Sequence, residues 1–269
     1  MKRNLKKGIW YTSVPGGTVL EKFQAAKAAG FDGVEPPSHL NQEEILRARD
    51  ETGVAVCSVS CGGPTRDLSH PDAAKRAEAV KSLEQAVREA KRYGAASVLV
   101  VPGAVTGQIS YAETYQRVQE SVRKVVPLAE ELGVRLAFEN VWNYFLLSPM
   151  EAARFVDEFR SPAVRWQFDV GNILNFGWPE HWIRILGPRI QTLHVKEFSR
   201  KKRDGEGLWK GFAVEYLEGD NDWPAVMKAV DEIGYTGWAT LEPAWVPPDV
   251  DPVARLRQIS EKLDRIIAI

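Results

Sequence analysis

The chain has 269 residues, 44% apolar and 26% charged, with 21 glycines and 16 prolines, a globular profile that excludes disorder and collagen-like repeats. Its 35 basic and 36 acidic residues leave a net charge of −1, so no overall field draws it onto phosphate backbones or acidic membranes. The N-terminal MKRNLKKGIWYTSVPGG has a basic start without an apolar h-region, and no apolar run approaches spanning length; a cytoplasmic protein with no nucleic-acid and no membrane partner is expected.

Along the chain, short β-rich runs alternate with longer helical patterns, the signature of βα units around a parallel sheet. A strand at 8–11 precedes a helix at 18–29, then a strand at 33–36 and a helix at 41–51. The third strand, 54–60, lies in the strand-like run VAVCSVSC, which holds both cysteines, Cys57 and Cys61; four extended residues separate them by roughly 13 Å, too far for a disulfide. A helix at 72–93 leads to a strand at 97–102, and one long helix at 110–132 to a strand at 135–140. Helices at 148–159 and 179–186 follow, with strands at 164–170 and 190–196. A helix at 222–233, a strand at 237–242 and a helix at 253–267 close the series, the last opened by Asp251-Pro252 as N-cap and first-turn proline. Gly30, Gly94, Gly133, Gly187 and Gly234 stand where left-handed C-caps would stop helices. Eight such units fit a closed (β/α)8 TIM barrel, one domain over 1–269, better than an open doubly wound sheet, and no GxGxxG or Walker pattern appears.

Catalytic groups of such a barrel come from the carboxyl ends of its strands, and the period-two rule sorts the faces there. Leu136 and Phe138, Trp166 and Phe168, Leu193 and Val195, and Ala239 and Leu241 should face the helices. Glu139, Asp169, His194 and Glu242 should then face the lumen. Three converging carboxylates repel and are costly to bury unpaired, so a compensating cation is the simplest solution. One imidazole and three oxygen ligands suit a divalent metal ion such as Mn, Mg, Co or Zn.

The runs FDGVE, LAFENVWN, FDVGN, LHVKEF, the EGD of YLEGDNDW and GYTGWATLEP resemble, over nearly the whole chain, the sugar phosphate isomerase and epimerase family with the xylose isomerase-like barrel. The branch they are most similar to holds the L-xylulose 5-phosphate 3-epimerase and hexulose-6-phosphate isomerase-like proteins, beside the ketose 3-epimerases. The resemblance implies metal ligands at Glu139, Asp169, His194 and Glu242, with Glu139 and Glu242 also acting as catalytic acid and base on opposite faces of the substrate. Removing a proton beside a carbonyl builds an enediolate that a cation stabilises, and two opposed bases permit inversion. Arg200 matches the family's substrate-contacting arginine and Cys61-Gly62 a Cys-Gly that touches substrate in some free-ketose epimerases, although a lone thiol is more often a packing residue. The partner is a small sugar or sugar phosphate, and a homo-oligomer, dimer or tetramer, is the expected assembly.

Further candidates surround these. Lys196 shares the face of His194 and would balance the site's negative charge, while Glu35 either binds substrate hydroxyls or pairs with a neighbouring cation. Trp10 and Trp142 are expected to line the pocket; Tyr11, Tyr144, Trp178, Trp209 and Trp245 stand at strand ends or in the following loops, suited to packing the rim. The free-ketose epimerases carry a histidine where this chain has Asn172 and a glutamate where it has Phe145, which puts free-ketose specificity in doubt; Asn at that position also occurs in the xylulose phosphate branch. The run Arg200-Lys201-Lys202-Arg203 would either hold a phosphate or form a solvated loop.

A metal-dependent 3-epimerase of a ketose or ketose phosphate is therefore the leading reading. A lyase or dehydratase acting on a keto-inositol or 3-keto-glycoside begins with the same proton abstraction and is the alternative. An apurinic-site endonuclease-like nuclease on the same barrel needs a histidine-rich multinuclear zinc site, and this chain has only His39, His70, His181 and His194. A binding protein on a retired barrel would not need four intact ligands.

Overall fold

The computed structural model describes residues 3–244 and 250–269. Nine parallel strands form one sheet: β1 Lys6–Trp10, β2 Gly33–Glu35, β3 Ala55–Val56, β4 Val59–Ser60, β5 Ser97–Val100, β6 Arg135–Glu139, β7 Val164–Asp169, β8 Ile190–Val195 and β9 Trp238–Leu241. Their order is β3-β2-β1-β9-β8-β7-β6-β5-β4, so the sheet's two end strands are consecutive in sequence. The sheet is thereby curled into a nearly closed barrel.

That closure accounts for a strand count of nine instead of the expected eight. Residues 54–60 do run as one extended segment, but Ala55–Val56 pairs with β2 while Val59–Ser60 pairs with β5. Beyond Glu35 the partner strand meets Pro36 and Pro37, which have no N–H to donate, so the ladder thins to a single bridge between Pro37 and Ser60. Ser60 N donates to Pro36 O at 2.8 Å and Ser38 N to Ser60 O at 2.8 Å, which holds the seam shut.

The helices among the described residues are α1 Val19–Ala28, α2 Gln42–Thr52, α3 Gly62–Thr65, α4 Ala73–Tyr93, α5 Tyr111–Arg123, α6 Val126–Leu132, α7 Pro149–Asp157, α8 Val170–Ile173, α9 Pro179–Leu186, α10 Arg200–Glu206, α11 Trp223–Glu232 and α12 Pro252–Ala268. Capping boxes at Thr18/Glu21 and Ser110/Glu113 fix the starts of α1 and α5. The long helix expected at 110–132 breaks into α5 and α6 at Lys124-Val125. Pro127 lies in the first turn of α6, where its missing N–H costs nothing; inside a continuous helix it would delete a hydrogen bond and clash with the preceding turn. The helices α3, α8 and α10 are short insertions after strands that periodicity did not foretell.

Outward strand faces pack on the helices. Phe138 sits edge-on to Phe155 of α7 at 5.3 Å between centroids, and Phe168 stacks at 6.3 Å on Trp182 of α9. Inside the barrel the residues are small or polar and leave no pore: a Cβ at Gly8 would lie 2.5 Å from Thr240 Oγ1 and 3.2 Å from Cys57 Sγ.

Candidate metal and substrate site

Parallel register brings the candidate ligands to one level of the barrel mouth. Glu139 ends β6, Asp169 ends β7 opposite His194 of β8, and Glu242 directly follows β9. One donor atom from each of the four lies within 4.8 Å of every other. His194 Nδ1 is 3.0 Å from Glu139 Oε1 and 3.1 Å from Glu242 Oε2, so the two glutamates flank the same ring nitrogen. Asp169 caps α8, its Oδ1 accepting from Asn172 N at 2.8 Å. Its buried Oδ2 pairs with Lys196 Nζ at 2.9 Å. Buried carboxylate oxygens and an imidazole nitrogen converging at this range are a donor set that fits a divalent cation.

Electrostatics separates the two glutamates. Burial lifts the Glu139 carboxyl to about 7 against the opposing pull of His194. Burial would lift Glu242 too, but Lys196 and His194 hold it below the usual carboxylate range. Asp169 is raised by burial despite Lys196. Burial disfavours the charged forms of His194 and Lys196, yet the surrounding carboxylates win: Glu35, Glu139 and Glu242 raise the imidazole well above its ordinary value, and Asp169 with Glu242 raises the ammonium. One carboxyl that keeps a proton near neutrality beside one that stays ionised is an arrangement suited to proton transfer in both directions.

Glu139, His194 and Glu242 line a cavity of about 1000 Å³, with Asp169 fully buried behind it. Trp10 lines it, edge-on to His194 at 6.1 Å, as does Trp142, whose Nε1 donates to Asn172 O at 2.8 Å. Asn172 and Lys196 are also on its wall, and Lys196 Nζ reaches Glu242 Oε2 at 2.8 Å as well as Asp169. Trp209 and Phe212 complete an aromatic wall against Trp142, at 4.9 and 5.0 Å.

Several expected site residues stand elsewhere. Glu35 is fully buried beneath the pocket, its Oε1 2.9 Å from His194 Nε2 and its other oxygen accepting from Ser58 Oγ, so no substrate hydroxyl meets it. Cys61 is fully buried in the core, its thiol pushed up to about 12 by burial, and only its neighbours Ser60 and Gly62 face the cavity. Arg200 opens α10 and turns away: its guanidinium donates to Leu174 O at 2.8 Å and Gly177 O at 2.7 Å, tying together the segments after β7 and β8. The rest of the basic run is helical, with Lys202 bonded to Ala213 O and Arg203 to Asn175 O at 2.8 Å. Phe145 lies in the aromatic cluster with Tyr111 and Phe155. Tyr11 is buried, Tyr144 and Trp178 are exposed away from the cavity, and Trp245 lies outside the described residues.

Four structural residues of the site escaped the sequence reading. Asn140 braces strand ends, its Oδ1 accepting from Asp169 N at 3.0 Å and its Nδ2 donating to Asp169 O at 2.7 Å. Gln167 Nε2 lies 2.6 Å from His194 Nε2; two residues before Asp169, it was legible from the same alternation. Glu197, buried after β8, accepts from Leu217 N, Asn221 Nδ2 and Trp223 Nε1 at 3.0, 2.7 and 2.9 Å, and so holds the EGD loop against the barrel. Phe212 carried no periodic signal.

Residues 23–266 match the xylose isomerase-like TIM barrel family. The chain belongs to that family. Among its relatives, an inosose dehydratase from Clostridium perfringens is 24% identical over 153 residues, 52% of this chain and 51% of that protein. A 2-epi-5-epi-valiolone 7-phosphate 2-epimerase from Actinoplanes sp. is 35% identical over 102 residues, 37% of this chain and 36% of that one. The chain thus spans about half the length, or less, of the curated relatives it matches. Among solved structures, a D-psicose 3-epimerase from Clostridium cellulolyticum H10 superposes with a TM-score of 0.79 at 20% identity, covering 98% of this chain and 99% of that one. A 3-keto-D-glucoside 4-epimerase from E. coli gives 0.82 at 20% identity over 97% and 99%. Identities this low establish a shared fold.

Proposed function

We propose that the chain is a divalent-metal-dependent sugar isomerase or epimerase that shifts the proton beside a ketose carbonyl, inverting C3 of a ketose or ketose phosphate through an enediolate. The observation that carries this reading is the convergence of Glu139 and Glu242, both lining the cavity, on His194 Nδ1 at 3.0 and 3.1 Å. Glu139, Asp169, His194 and Glu242 would hold the metal, which when bound supplies positive charge to polarise the carbonyl and stabilise the enediolate. Glu242, ionised beside Lys196, accepts the proton from one face, and Glu139 exchanges one with the other. Lys196 neutralises the carboxylates, and Trp10 and Trp142 give the sugar ring faces to stack on while excluding water.

The test is proton NMR in deuterium oxide with the magnesium-loaded protein and a panel of ketoses and ketose phosphates. Solvent deuterium at C3 with a new diastereomer is expected, and deuterium at C1 or C2 would make it an aldose–ketose isomerase. Glu139→Gln and Glu242→Gln should each slow exchange by about 10²-fold or more. Full activity in both variants would sink the mechanism. The inosose dehydratase relatives favour a second reading, water loss from a keto-inositol, which would show as dehydration of that substrate with no exchange into any ketose.

A further inference from the structure

We propose that the outer wall of the cavity, at Arg66 and His39, binds a phosphate carried by the substrate at the end remote from the reacting carbon. This rests on the sugar epimerase reading and narrows its substrate class to phosphorylated sugars. Arg66 and His39 line the same cavity as Glu139, His194 and Glu242. At about 1000 Å³ that cavity sits at the top of the range for small-molecule pockets, and a free ketose fills only part of it. The floor is rich in carboxylates, and its cation, Lys196, is engaged by Asp169 and Glu242. In the basic run after β8, Arg200, Lys202 and Arg203 are turned to backbone carbonyls, and Lys201 does not line this cavity. Arg66 is exposed, and its guanidinium makes no ion pair among the described residues, so a cation stands ready at the mouth. A guanidinium fork matches phosphate oxygens in geometry as well as charge.

The backbone at His39, on the wall of the same cavity, is held in place. His39 holds a left-handed backbone, φ 68°, a conformation uncommon outside glycine. Its N–H donates to both oxygens of Glu89 at 3.1 and 3.2 Å, and that buried carboxylate is in turn held by Gln85 Nε2 at 2.8 Å. Gly63 lines the same cavity, and a Cβ there would meet nothing within 4 Å, so this part of the wall is open.

Isothermal titration of inorganic phosphate into the magnesium-loaded protein tests the site directly. Arg66→Ala should weaken binding by about 10- to 100-fold, the range of a charge-assisted hydrogen bond, and Arg66→Lys should restore part of it. Lys201→Ala, in the rival basic run, should leave phosphate affinity unchanged. No binding by the unmodified protein, equal affinity in Arg66→Ala, or loss in Lys201→Ala overturns the proposal. Deuterium exchange into D-fructose 6-phosphate and D-fructose separates this from the underlying reading. If neither sugar exchanges while phosphate still requires Arg66, the epimerase reading fails and the anion site stands. If the phosphorylated sugar exchanges and Arg66→Ala lowers its kcat/KM no more than that of the free sugar, the anion site fails and the epimerase reading stands.

Discussion

His194 has carboxylates at both ring nitrogens, and the two sides have different work to do. At Nδ1 it meets Glu139 and Glu242; at Nε2 it meets the fully buried Glu35 at 2.9 Å. A carboxylate behind a ligating imidazole fixes the ring and raises its basicity. Glu35→Gln should therefore weaken manganese binding about 10- to 100-fold by calorimetry, and unchanged affinity would remove Glu35 from the site's support. Glu139 offers a second handle, because its folded-state value of about 7 lies above the 4.5 of an ordinary glutamate. Between those values the folded protein holds the extra proton, so the ionised carboxylate costs stability as pH rises through the window. Glu139→Gln cannot ionise. In metal-free protein its melting temperature should rise relative to the parent between pH 5 and pH 8, by the equivalent of at most about 3 kcal/mol. An equal difference at both pH values would mean that burial does not perturb this group. The four candidate ligands were legible because strand alternation needs no tertiary knowledge; the burial of Glu35 and the turning of Arg200 were not, because each depends on a partner from a distant segment.

Single elements set how firmly the mouth is held. The Glu197 carboxylate accepts from Leu217 N, Asn221 Nδ2 and, at the start of α11, Trp223 Nε1, and Gly219 is packed so closely that a Cβ would lie 2.5 Å from Glu197 Oε1. Glu197→Ala would strand Leu217 N and Trp223 Nε1 at about 1–3 kcal/mol each, while Asn221 Nδ2 keeps Lys196 O as an acceptor. Urea unfolding should show a loss of several kcal/mol, and hydrogen exchange at 217–223 should accelerate ahead of global unfolding. Retained protection there would show that the loop does not depend on this carboxylate. Elements with a strong period or a capping box were readable, among them α1 and α5 with their Thr18 and Ser110 caps. The break before Pro127 was missed in the expected helix at 110–132, although proline in a helix interior is a local conflict. The split of residues 54–60 was not readable, because it arises from an exchange of neighbours: β2 on one side, β5 on the other.

At the scale of the molecule, the site is assembled from β6, β7, β8 and the end of β9, so a ligand held there ties four strands of the barrel together. A cation that binds only the folded state should stabilise it by about 2.7 kcal/mol at one hundred times its dissociation constant. Thermal unfolding with manganese and with a chelator should show that rise and its reversal, and Glu139→Gln should abolish most of it. A melting temperature indifferent to both would argue against a metal site. The residue order alone determined the alternation of strands and helices, the eight βα units and the phase that aims Glu139, Asp169, His194 and Glu242 inward, since these depend only on local periodicity. Tertiary structure alone decided which polar groups reach the cavity: Glu35 and Cys61 are buried behind it, Arg200 is bonded across two loops, and Arg66 and His39 stand at its mouth. Loop side chains have no period to constrain them, and where they point is settled by whichever carbonyl, carboxylate or ring the closed barrel brings within reach.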